Sequence, residues 1–123
     1  MTLRIVVPTV NNKGLQDEVA EVFARAPTFT IVELFNDEIK KVQVEPNKAE
    51  KIKHGAGPIV ARELTQKNID YIVTSDLGPG ATSLLNMEDV KIIKVQKNVK
   101  VYDAIEKILY NRSDQKIEVL TGY

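Results

Sequence analysis

Two short runs, LRIVVPT at 3–9 and DYIVTSD at 70–76, carry apolar residues at consecutive rather than alternate positions. A strand has this pattern when both of its faces are covered, as in a parallel sheet flanked by helices. Parallel strands need long crossovers, so the segments around these runs are expected to hold helices. The chain is thereby constrained toward an α/β domain before any residue is assigned a role.

The remaining segments fill in that frame. LQDEVAEVFARA at 15–26 is expected to be a helix. Asp17 and Glu18 suit its positive end, Val19, Val22 and Phe23 form an apolar stripe, and Pro27 stops it. TFTIVELF and EIKKVQVE are strand-like and are parted by ND, a short hairpin turn. A helix is expected through PIVARELTQKN, with Pro58 in its first turn, where a missing N–H costs nothing. LGPG leads into a short helix, ATSLLNME, and VKIIKVQ makes a fifth strand. In the last helix Val101, Ala104, Ile105, Ile108 and Leu109 fall on one face. The tail KIEVLTGY is readable as an edge strand or as a frayed end.

The order is strand, helix, hairpin, helix, strand, helix, strand, helix, which makes a mixed sheet with helices on both faces. If TFTIVELF is the reversed strand, the loops after Thr9, Glu45 and Asp76 open at one end of the sheet. Ligands of open α/β sheets bind at such an end.

Composition narrows the function. The 123 residues and 43% hydrophobic content fit one domain, 1–123, with its core at 3–110 and a tail at 111–123. Seventeen basic residues balance 17 acidic ones, so no net field favours nucleic acid. The lysines at 91, 94, 97 and 100 lack interleaved aromatics for stacking bases. With no cysteine, the chain supplies no thiolate to an iron–sulfur cluster, and with one histidine it cannot assemble an ordinary zinc site. No apolar run reaches the ~18 residues of a membrane span, and MTLRIVVPT lacks a signal-peptide layout. A cytoplasmic protein is expected.

HGAGP at 54–58 and SDLGPGA at 75–81 carry what chemistry there is. Gly55, Gly57, Gly78 and Gly80 let a ligand approach the backbone, and each turn precedes a helix whose first N–H groups point outward. Two such ends together would make an anion-binding floor, with Arg25, Lys51, Lys53 and His54 adding positive charge. On their own, glycines before a helix are more often plain turn chemistry than an anion site. Neither turn has the spacing of a nucleotide-binding loop. His54 is a candidate metal ligand or anion donor, and ligation through a neutral imidazole would weaken in acid. Ser75 and Asp76 lack a positioned base, so no nucleophilic site is evident. A two-metal nuclease would need clustered carboxylates, and LRIVVPT has none. Glu33, Glu38 and Glu45 read as solvated edge charges.

GLQDEVAEVFARAPTFTIVE followed by HGAGPIVARELTQKNIDYIVTSDLGPGA resembles the dinitrogenase iron–molybdenum cofactor biosynthesis family, which includes nitrogenase accessory factors such as NifX. The resemblance covers residues 3 to 110. It implies a three-layer ribonuclease H-like motif with a mixed five-stranded sheet, order 3-2-1-4-5, strand 2 antiparallel. It implies a carrier that binds an iron–molybdenum cofactor or an iron–sulfur precursor and passes it between assembly and acceptor proteins without catalysis. Carried over by position, the implied cofactor-binding residues are Arg25, His54, Gly55, Gly57, Gly78 and Gly80, with His54 as metal ligand. Asn11 joins them from the first loop. Relatives commonly carry His-Phe-Gly where this chain has Val22, Phe23 and Ala24, and valine cannot coordinate a metal. The leading expectation is therefore a cluster carrier. The alternative is a protein–protein interaction module of the same fold that has lost the cluster, and a hydrolase ranks last.

Overall fold

The computed structural model describes residues 2–110. Its sheet comprises β1 (Thr2–Thr9), β2 (Thr28–Phe35), β3 (Glu38–Pro46), β4 (Tyr71–Thr74) and β5 (Lys91–Lys94). The strand order is β3-β2-β1-β4-β5, with β2 antiparallel to both neighbours and β4 parallel to β1 and β5. This is the order and polarity that the family resemblance implies. The β2–β3 turn uses Asn36 and Asp37 at φ 50 and 67, the left-handed pair whose twist matches a two-residue hairpin.

Three helices cover the sheet: α1 (Ala56–Thr65), α2 (Pro79–Met87) and α3 (101–110). Alternating side chains of the central strands separate the core into two halves. Val6, Ile31 and Ile72 pack with Val60, Leu64 and Leu85 of α1 and α2 on one face. Ile5, Val7, Val32, Leu34 and Val73 pack on the other face with Val101, Ala104, Ile105 and Ile108 of α3. The consecutive apolar residues of β1 are thus buried on both sides, as a covered central strand requires. The tail, 111–123, lies outside the described residues.

The expected helix at 15–26 is replaced by two short 3-10 turns, Gly14–Gln16 and Phe23–Arg25, with extended backbone between them. Asp17 is the physical reason. It is almost fully buried, and its carboxylate accepts backbone N–H bonds from Asn11, Lys13 and Glu18 at 2.8–3.2 Å. The backbone around it is committed elsewhere. Val19 N–H donates to Val99, Ala20 N–H to Pro8, and the Asp17 carbonyl accepts from Val101. The supposed stripe is divided: Val19 enters the α3 half of the core, Phe23 enters the other half, and Val22 faces solvent. Helical periodicity over these residues was a coincidence of contacts to two different layers.

Candidate functional site

Because β1, β3, β4 and β5 all run in one direction, the segments 10–13, 47–55, 75–78 and 95–99 gather at one end of the sheet. Sequence reasoning anticipated the first three of these. Both glycine–proline turns are here, at the starts of α1 and α2.

Gly55 caps α1 at φ 73 and ψ 17, a left-handed conformation that glycine enters without a Cβ clash. Gly78 caps α2 in ordinary extended backbone, at φ −70 and ψ 165. Neither helix start has a side-chain cap, so first-turn N–H groups are not taken up by one. Pro58 and Pro79 each remove one donor from these turns. Ala56 and Ala81 are buried and Pro58 and Pro79 are exposed without an N–H, which leaves half-buried Gly57 and exposed Gly80 as the residues of these first three positions that combine an N–H with access to solvent.

The two helix starts touch. A Cβ on Gly80 would lie 2.9 Å from Pro58 Cγ, and one on Gly57 would lie 3.6 Å from Ala81 Cβ. Of the four glycines, only Gly55 uses a positive φ; Gly57 and Gly80 serve close approach of the helices. The positive ends of two helix dipoles therefore open side by side.

The segment Val22–Arg25 spans this end. Val22 pairs with Asp76 in an isolated bridge, and Phe23 N–H donates to the Asp76 carbonyl at 3.2 Å. Arg25 reaches to the loop before α1 and bonds carbonyls of Glu50, Ile52 and Lys53. His54 is exposed, one residue before the α1 cap, and its imidazole has no partner among the described residues. Asn11 lies on the first loop, its N–H on Asp17 and its carbonyl on the Thr28 hydroxyl. No bond among the described residues ties Asn11 to His54 or to the glycines. The structure thus brings Gly57 with Gly80 and Arg25 with the His54 loop, and places Asn11 at the same sheet end without bonding it to any of them.

No group of three or more His, Asp or Glu side chains placed to hold a metal ion occurs among the described residues. Two of the open grooves among the described residues are lined by neither His54 nor the glycines. One, of about 620 Å³, lies at the same sheet end between Val22, Ser75, Asp76, Lys97 and Asn98. Its rim carries the Glu21–Lys97 ion pair at 3.4 Å. The other, of about 650 Å³, runs between α1 and the β3 edge over Phe29, Val60 and Leu64. Sequence reasoning missed the first of these because it is built partly by the 95–99 loop, which has no turn motif. Position 22 was the available signal for it.

Residues 4–111 match the family described as dinitrogenase iron-molybdenum cofactor. The chain belongs to that family. An uncharacterised protein of Methanocaldococcus jannaschii is 27% identical over 116 residues, covering 94% of this chain and 92% of that protein. The apo form of the orange protein from Desulfovibrio gigas superposes with a TM-score of 0.78 at 27% identity, over 88% of each chain. A Thermotoga protein assigned to NifB superposes with a TM-score of 0.70 at 31% identity, covering 89% of this chain and 90% of that one. The fold, with its mixed sheet in order 3-2-1-4-5, superposes on these two solved structures. Among the described residues, no helix is long and apolar enough to cross a membrane.

Proposed function

We propose that the protein is a non-catalytic carrier for an anionic metal cluster or cluster precursor of the iron–molybdenum or iron–sulfur type. The cargo would dock at the carboxyl end of the sheet, against the first turns of α1 and α2, and pass to an assembly or acceptor protein. The observation that carries this reading is the contact between the two helix starts, with exposed His54 just before one of them and without a hydrogen-bond partner among the described residues. Two positive dipole ends at one spot favour a cargo with net negative charge. Family membership supports the class of cargo. With no cysteine in the chain, the cargo must bring its own sulfides, and His54 is the one imidazole available to it.

Anaerobic reconstitution with ferrous iron and sulfide, read by visible absorbance after desalting, tests the proposal. His54→Ala is expected to leave the melting temperature unchanged, because the side chain is exposed and makes no hydrogen bond or ion pair among the described residues. Cluster affinity should fall about tenfold or more, the 1.4 kcal/mol scale of one lost contact. Equal retention by both proteins removes His54 from the site.

A second reading has one observation in its favour. Val22 is 39% exposed, Ile52 36% and Ile59 44%, so apolar side chains face solvent at this sheet end. A protein-interaction module without cargo would use them to hold a partner. It predicts no spectral change on reconstitution and a stable complex with an assembly protein.

A further inference from the structure

The 24–27 and 47–53 segments hold each other from both sides. Asn47, 8% exposed, donates its two amide hydrogens to the carbonyls of Ala24 and Ala26 at 3.0 and 2.9 Å. Its own N–H goes to the Pro27 carbonyl at 3.0 Å, and its side-chain oxygen accepts from Ala49 N–H at 2.9 Å. In return the Arg25 guanidinium donates to Glu50 at 3.1 Å, to Lys53 at 2.9 Å, and to Ile52. The loop is otherwise held by buried Ala49 and by its own turn bonds, Glu50 N–H to Asn47 at 3.3 Å and Ile52 N–H to Ala49 at 3.1 Å, while Lys51, Ile52, Lys53 and His54 are all exposed.

We infer that Arg25 is a positioning residue: it fixes the loop that delivers His54 to the start of α1, and it does not itself contact the cargo. Three carbonyl dipoles already face its charge. A planar five-donor fork can reach carbonyls in three directions, whereas an ammonium is a single point. Arg25 is therefore used for its shape, and lysine cannot replace it. This role rests on the carrier reading for its purpose, although the clamp itself can be measured without any cargo.

Amide hydrogen exchange on the wild-type protein, Arg25→Lys and Arg25→Ala tests the clamp directly. Both variants should exchange about tenfold faster or more at Glu50 and Ile52, whose N–H groups donate to Asn47 and Ala49 within the loop, with β1 and β4 amides unchanged. Free guanidinium ion at millimolar concentration should restore protection in Arg25→Ala, and the same concentration of sodium chloride should not. Clusters reconstituted from ferrous iron and sulfide should be retained poorly by both variants and recovered by Arg25→Ala with guanidinium. Unchanged exchange at Glu50 and Ile52 in Arg25→Ala overturns the inference, and so does full cluster retention by Arg25→Lys, which would make the charge sufficient. Faster exchange throughout the sheet also overturns it, because the bonds would then hold the domain and not the loop. If the loop depends on Arg25 while the wild-type protein retains no cluster, the clamp stands and the carrier reading falls.

Discussion

Asp17→Ala is expected to destabilise the domain by about 3 kcal/mol, the loss of several charge-assisted hydrogen bonds at a buried position. The carboxylate is 1% exposed and is the shared acceptor for the N–H groups of Asn11, Lys13 and Glu18. Alanine would leave those donors without a partner and open a cavity under the 10–18 loop. Asp17→Asn keeps one acceptor oxygen but turns an NH2 group toward the other donors, so about half the loss should remain. Urea unfolding measures both, and the order wild type, asparagine, alanine is the diagnostic result. Equal stability of Asp17→Ala and wild type would show that the loop is held by its backbone bridges alone. The loss should also reach α3, since the Asp17 carbonyl accepts from Val101 at its first turn.

That same residue marks the limit of what was legible beforehand. The strands and the hairpin could be read because the apolar runs of β1 and β4 and the ND turn each obey one local rule, whereas the sheet order and the reversal of β2 came from the family resemblance. The α3 face could be read because its five apolar positions all meet one layer, and Leu109 packs there with the others. The segment at 15–26 obeys no single rule. Its apolar residues serve both layers, and its acidic residue points inward to organise a loop. An aspartate three residues after the glycine of NNKG is compatible with either role, because the discriminating fact is burial and not spacing.

The site was legible in the same uneven way. The glycines located the turns, and the strand polarity brought the turns together. What each glycine does was not readable: only Gly55 needs a positive φ, and the close approach at Gly57 and Gly80 is a tertiary fact. Arg25 stood out as a positive charge near a presumed anion. Its three carbonyl partners lie 25 to 28 residues away in sequence, so no local pattern announces them. Asn47, which holds the other half of the clamp, carries no motif at all.

Gly80→Val should cost about 2–3 kcal/mol, the range for forcing extra atoms into a packed contact. A Cβ at residue 80 would meet Pro58 Cγ at 2.9 Å. That neighbour is a ring closed on the α1 backbone, so it cannot rotate away as the end of a long side chain would. Relief requires moving α1 away from α2, and valine's second branch enlarges the required shift. Gly57→Ala is the control on the facing helix. Its Cβ would rest 3.6 Å from Ala81 Cβ, an ordinary contact, and alanine gains up to about 1 kcal/mol of helix propensity over glycine. Thermal melts should therefore move in opposite directions, down for Gly80→Val and level or up for Gly57→Ala. The pair also separates packing from cargo binding. Gly80→Val prises the two dipole ends apart and should lose reconstituted cluster together with stability. Gly57→Ala keeps the helices in place but adds a methyl at a first-turn residue, so a protein that is fully stable and retains less cluster would locate the cargo against that turn.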